Sequence, residues 1–142
     1  MNSARVRAFL PLFAWIVALT AMSGSLYYSE VRGFIPCTLC WYQRILMYPL
    51  VAIILVGILR RDEGLPLYVL PLSVLGMFVS TYHYLLQIGV LTETGTCKAG
   101  VPCTVKYVNY FGFVTIPFMA LTAFYLISMA MAAYWFMRQQ DV

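Results

Sequence analysis

Charge in this chain is confined to a few short stations, and the intervals between them constrain the fold more than any other feature. No charged residue occurs in the 22 positions between Arg7 and Glu30, the 15 between Arg44 and Arg60, the 29 between Glu63 and Glu93, or the 31 between Lys106 and Arg138. A helix rising 1.5 Å per residue needs about 20 apolar residues to cross a hydrocarbon layer of roughly 30 Å. Three intervals meet that length outright; the second does so only by extending upstream past Arg44. Lipid leaves no water to satisfy a bare backbone, so spans are helices or a closed barrel. Runs this long and continuous read as helices, near residues 9–28, 40–59, 66–89 and 109–136. The short connectors predict an all-α, integral membrane, antiparallel four-helix bundle in a single domain over 1–142, with outer loops at 29–39 and 90–108.

Composition points the same way. The 142 residues are 63% apolar and 10% charged, with mean hydropathy +0.84. A soluble domain carries roughly 25% charged residues, and one this small has too much surface to bury so many apolar side chains. A water-soluble globule and a disordered chain are both excluded. The net charge of +4 is scattered, without the basic stripe of a nucleic-acid binder. Arg5, Arg7, Arg60, Arg61 and Arg138 fall on one side of the proposed bundle; Arg32, Lys98 and Lys106 fall on the other, with Arg44 at its rim. The positive-inside rule then puts both termini in the cytoplasm of a multi-pass cell-membrane protein. Tyr27, Tyr28, Trp41, Tyr42, Tyr107, Tyr110 and Trp135 fit aromatic belts at the headgroups. The first run also has the basic start and small residues of a secretory signal peptide, but its apolar character continues through Leu26–Tyr28, which suits a span. Pro49, Pro71 and Pro117 are candidate kinks in helices two, three and four.

The four cysteines are Cys37, Cys40, Cys97 and Cys103, and all fall in the connectors assigned to the outside, where disulfides persist. Cys37-Thr-Leu-Cys40 closes a very small ring, a spacing found in reactive rather than structural pairs. Pro36 precedes it, so Cys40 comes at the start of helix two, where unpaired N–H groups favour a thiolate. Arg44 lies one turn on, on the same face. A unit charge about 5 Å away is worth on the order of 3 kcal/mol at an effective dielectric of 20, enough to lower a thiol pKa. An arginine at the membrane boundary either snorkels to phosphate headgroups or serves the site, here by holding an anionic or carbonyl-bearing group beside Cys40. Cys97 and Cys103 enclose Lys-Ala-Gly-Val-Pro in a turn-rich loop, which reads as a staple or as a disulfide offered to a partner. His83 is the single histidine, with Gln87 one turn below it. One histidine cannot supply both axial ligands of a b-type haem, and Trp41 after Cys40 excludes the c-type attachment motif. His83 is then a satisfied buried histidine or a neighbour of a redox cofactor.

Pro36-Cys-Thr-Leu-Cys-Trp-Tyr-Gln-Arg44 resembles the P-C-x-x-C-x-x-x-R stretch of the bacterial disulfide-formation membrane proteins, the DsbB family. Val101-Pro-Cys103 and Phe111-Gly-Phe-Val-Thr-Ile-Pro117 resemble its shorter Gram-positive, BdbC-like branch. The likeness covers nearly the whole chain. It implies a protein-dithiol:quinone oxidoreductase that reoxidises a thioredoxin-like thiol oxidase outside the cytoplasmic membrane and passes two electrons to a membrane quinone, menaquinone in preference to ubiquinone. Carried over by position, Cys37 and Cys40 form the pair beside the quinone, with Cys40 contacting it. Arg44 matches the quinone-site arginine and His83 a second quinone-side residue. Cys97 and Cys103 exchange with the partner, Cys97 being attacked first. Two features depart from the wider family: Cys97 and Cys103 are only six positions apart, and Gln43 stands where many members have Glu. The order of mixed disulfides, including any Cys37–Cys103 bridge, stays open. Rival readings are a zinc protein that uses all four cysteines as ligands, which elemental analysis distinguishes, a membrane subunit with two structural staples, and a relative of vitamin-K-epoxide reductase, whose CxxC comes late in the chain rather than early.

Overall fold

The structure, a computed structural model, describes residues 2–92, 95 and 102–141. Its framework is four helices, α1 (Ser3–Leu26), α2 (Thr38–Arg60), α3 (Leu65–Gln87) and α4 (Ile116–Gln140), with α1 running on into a π-helical turn, Tyr27–Val31. Each is long and apolar enough to cross a membrane. The helices close into a ring in which α1 packs on α2, α2 on α3, α3 on α4 and α4 back on α1, while α2 and α4 barely touch across the middle.

The helix ends follow local chemistry. Asn2 caps α1, its side chain accepting from the Ala4 N–H at 3.3 Å, so the helix starts at Ser3 rather than near 9. Cys37 is the N-cap of α2, which puts Cys40 inside the first turn. The largest departure from expectation is α4, which begins at Ile116 rather than near 109. Phe111 and Gly112 lie at φ +56° and +83°, and Tyr110 and Val114 exchange two 2.9 Å backbone bonds around them. A left-handed pair cannot continue a right-handed helix. Pro117 therefore sits in the first turn of α4, where its missing N–H costs nothing, and is not a kink. Pro49 and Pro71 do lie within α2 and α3, and Pro11 within α1.

Ala14, Ala18, Leu50, Ile54, Val69, Phe124, Ile127 and Met131 form the centre of the bundle. Phe124 lies directly against Gly76, and a Cβ built there would run into the ring. Gly76→Ala is expected to lower stability by about 1–3 kcal/mol, the range for overpacking a filled core. Thermal unfolding in detergent checks this; an unchanged midpoint would contradict it. Phe9, Leu59, Leu67, Phe78 and Phe136 face outward, as lipid-facing side chains do. At one end Arg7 pairs with Asp141 at 2.6 Å, and Arg138 approaches Glu63 at 3.5 Å. Nearby, the Asp62 carboxyl accepts from the Tyr68 hydroxyl and from the Gly64 N–H, and these bonds hold it below the usual carboxylate range.

Candidate functional site

Cys37 takes an extended backbone after Pro36, and its carbonyl accepts from the Trp41 N–H, starting α2. The turn that follows brings Cys40 back beneath it, with the two sulfurs 3.3 Å apart and both thiols free. Cys37 is buried against Leu39, Leu86 and Cys103, whereas Cys40 is half-buried. Cys103 is buried and disulfide-bonded. Cys97, its counterpart in the sequence reading, lies outside the described residues.

His83 comes from α3 into this cluster, 1% exposed. Its Nε2 is 3.0 Å from the Cys103 carbonyl oxygen and 3.6 Å from Cys37 Sγ; its Nδ1 is 2.9 Å from Gln43 Nε2. A carbonyl only accepts, so Nε2 carries the proton, and Nδ1 accepts from the Gln43 amide. One N–H thus faces both the carbonyl and the Cys37 sulfur. The Cys37 thiol is pushed down to about 4, first by the hydrogen bond from Cys40, opposed by burial, and then helped by His83. Helix-dipole reasoning from sequence points to Cys40 as the thiolate; with both thiols reduced, the geometry puts the charge on Cys37. Alkylation at Cys37 should therefore stay level as the pH falls until about 4, where an ordinary thiol loses reactivity below about 8.5. Cys40→Ala removes the largest cause and should move that fall to higher pH. Mass-spectrometric rates for Cys37 against pH check both; a profile unmoved by Cys40→Ala would contradict the assignment.

On its other side Cys40 lines a cavity of about 410 Å³ between α1, α2 and α4. Val17, Ala21, Met47, Met119 and Ala123 make most of it apolar, and Arg44 and Gln43 also line it. The Arg44 guanidinium donates to the Ser25 carbonyl at 3.1 Å and lies over the Trp41 and Tyr48 rings at 5.1 and 5.9 Å. The Tyr48 hydroxyl donates to Ser25 Oγ. Among the described residues Arg44 has no carboxylate partner, so donors remain for an incoming group. Tyr28, Phe34 and Tyr107 stack along the wall, their planes within 10° at centroid spacings of 5.8 and 4.7 Å.

The structure thus groups Cys37, His83 and Cys103 in one buried cluster and Cys40 with Arg44 on the neighbouring cavity, whose lining includes Gln43 but not His83. Reading the sequence alone missed Gln43 as the partner of His83, and missed Ser25, Tyr48 and the ring stack. A buried glutamine in an apolar span is itself a signal. Gln87, paired with His83 by helical spacing, instead donates to the Val105 carbonyl at 3.0 Å and ties down the second connector.

Two apposed thiols, one of them stabilised as the thiolate and lying beside a disulfide-bonded third cysteine, are the parts of a thiol–disulfide exchange centre. The family model for "Disulfide bond formation protein DsbB" matches residues 7–137. "Probable disulfide formation protein C" of Halalkalibacterium halodurans is 57% identical over 119 residues, covering 83% of this chain and 87% of that protein. "Disulfide bond formation protein C" of Bacillus subtilis is 55% identical over 115 residues, covering 80% and 83%. "Probable disulfide formation protein" of Oceanobacillus iheyensis is 53% identical over 120 residues, covering 83% of each. No solved structure matches the chain. This chain belongs to the DsbB family of disulfide bond formation proteins. Membership implies a thiol-oxidising role with a thiol–disulfide partner, and four apolar helices are consistent with a multi-pass membrane protein.

Proposed function

We propose that this protein is a protein-dithiol:quinone oxidoreductase that reoxidises a thioredoxin-like thiol oxidase and delivers the electrons to a membrane quinone, menaquinone being the expected one. Its helices run antiparallel, with both termini cytoplasmic and the cysteine connectors outside. The Arg7–Asp141 and Arg138–Glu63 contacts support the antiparallel arrangement by gathering the first and last helix ends with the α2–α3 connector; the side rests on the arginine distribution. One observation carries the proposal: the Cys37–Cys40 pair has one sulfur facing Cys103 and the other facing a greasy cavity shared with Arg44.

A quinone ring fits what lines that cavity: an apolar volume of about 410 Å³, a ring stack on its wall and a guanidinium with donors to spare. When bound, the quinone supplies a two-electron, two-proton acceptor. Arg44 would hold a carbonyl oxygen and stabilise negative charge there. The chain's own sulfurs do the rest. The partner's dithiol attacks the Cys97–Cys103 disulfide, becomes a disulfide itself and leaves two thiols. The Cys103 thiolate attacks Cys37 Sγ of an oxidised Cys37–Cys40 pair, forming Cys37–Cys103 and expelling Cys40 as a thiolate at the cavity wall. The Cys97 thiolate then attacks Cys103 Sγ, restoring their disulfide and releasing Cys37 as a thiolate; a proton from solvent settles on Cys40, so the reduced pair carries its charge on Cys37. The ligating atoms of Cys37, His83 and Cys103 lie within 4.8 Å of one another, which supports that order. The His83 N–H faces both the sulfur that changes charge and the Cys103 backbone.

An anaerobic assay tests the proposal. Oxidised protein is mixed with a reduced thioredoxin-like partner, and free thiols are counted with and without a menaquinone analogue. Catalytic thiol loss with quinone and only stoichiometric exchange without it is the expected result. Equal thiol loss in both arms would overturn the reading.

A further inference from the structure

The same cluster has a second chemical capacity. Zinc bound to sulfur at about 2.3 Å and to imidazole at about 2.05 Å sets tetrahedral edges of about 3.8 Å between sulfurs and about 3.6 Å from sulfur to nitrogen. Cys37 Sγ lies 3.3 Å from Cys40 Sγ and 3.6 Å from His83 Nε2. The Cys103 sulfur falls within 4.8 Å of both the Cys37 sulfur and the imidazole, and all three residues are buried. Cys37, His83 and Cys103 thus converge on one small volume, and Cys40, against Cys37, is placed to turn in as a fourth ligand. What blocks a metal here is redox state: Cys103 is held in a disulfide.

We propose that full reduction of the protein converts Cys37, Cys40, Cys103 and His83 into a binding site for a zinc-class divalent cation, which holds the protein in a reduced, idle state. The reductant is a protein dithiol, which becomes a disulfide as it opens the Cys103 bridge. Metal binding changes no oxidation state; the thiol protons go to solvent. The imidazole proton shifts from Nε2 to Nδ1, freeing Nε2 to ligate. Gln43 suits this shift, because its amide holds both a donor and an acceptor and can turn its oxygen towards Nδ1. It would then orient the metal-bound imidazole, as outer-sphere partners do. The site needs only the reduced sulfurs, whatever acceptor later takes their electrons, so it stands or falls apart from the quinone reading.

Cobalt(II) is the probe. Detergent-purified protein is reduced with a phosphine, freed of it by anaerobic gel filtration and titrated with cobalt. The expected result is one cobalt per chain with the intense ligand-field and sulfur-to-metal bands of a tetrahedral thiolate site, displaced by zinc. Fully oxidised protein should give no such bands. Gln43→Leu should weaken binding about 10- to 100-fold, and His83→Ala should alter the band pattern itself. Absence of tetrahedral bands in the reduced protein would overturn the proposal, as would identical bands in the oxidised protein or in His83→Ala.

Discussion

Cys40→Ser is expected to leave the protein able to oxidise one equivalent of partner dithiol and no more. The Cys103 disulfide is separate from the Cys37–Cys40 pair, so a partner can still exchange with it once. Without the Cys40 sulfur, Cys37 has no disulfide to offer, and no thiolate can be expelled at the cavity wall. Serine keeps the shape and a hydroxyl donor towards Cys37, so packing should survive. Steady-state turnover should fall by more than about a thousandfold, as when one member of a concerted catalytic unit is removed. Partner oxidation followed over many equivalents checks this. Continued quinone-dependent turnover in Cys40→Ser would refute the division of labour between the two sulfurs.

The second large effect is expected at Arg44. It lines the cavity with Cys40 and is tethered by the Ser25 carbonyl and two aromatic faces rather than by a carboxylate. A cation so placed stabilises negative charge arising beside it, and in a low-dielectric cavity its effect is large. Arg44→Met retains much of the apolar stem and removes the charge. The rate of quinone reduction should drop about 10²- to 10³-fold, the range for losing one preorganised donor to a developing anion. Exchange between partner and Cys103 should not change, because Arg44 is not in that cluster. Arg44→Lys should recover part of the loss, since it restores charge but not the forked geometry. Equal losses in both half-reactions would show that Arg44 serves folding instead.

Much of this architecture is readable from charge spacing, because lipid penalises charge wherever it falls in a span. The same signal is blind inside an uncharged run. It could not separate the Tyr110–Val114 turn from α4, since Phe111 and Gly112 interrupt a helix by backbone conformation, not polarity. The reactive CxxC and its arginine are visible because both lie on one short stretch of α2. The network around His83 is not, because it joins α2, α3 and the second connector. Helical spacing sees only neighbours on the same helix, and so it paired His83 with Gln87 and passed over Gln43. It likewise favoured Cys40 for the thiolate, since the helix N-terminus is evident in sequence and a histidine arriving from another helix is not.

The most direct measurement compares two half-proteins in a single anaerobic turnover. One carries Cys97→Ser and Cys103→Ser and enters with Cys37 and Cys40 reduced. The other carries Cys37→Ser and Cys40→Ser and enters with Cys97 and Cys103 reduced. Each is mixed with excess menaquinone analogue, and quinol is counted per chain. The first should yield one quinol and a Cys37–Cys40 disulfide, and the second none. Quinol formed as fast by the second protein would contradict the claim that electrons leave through the sulfur pair beside Arg44.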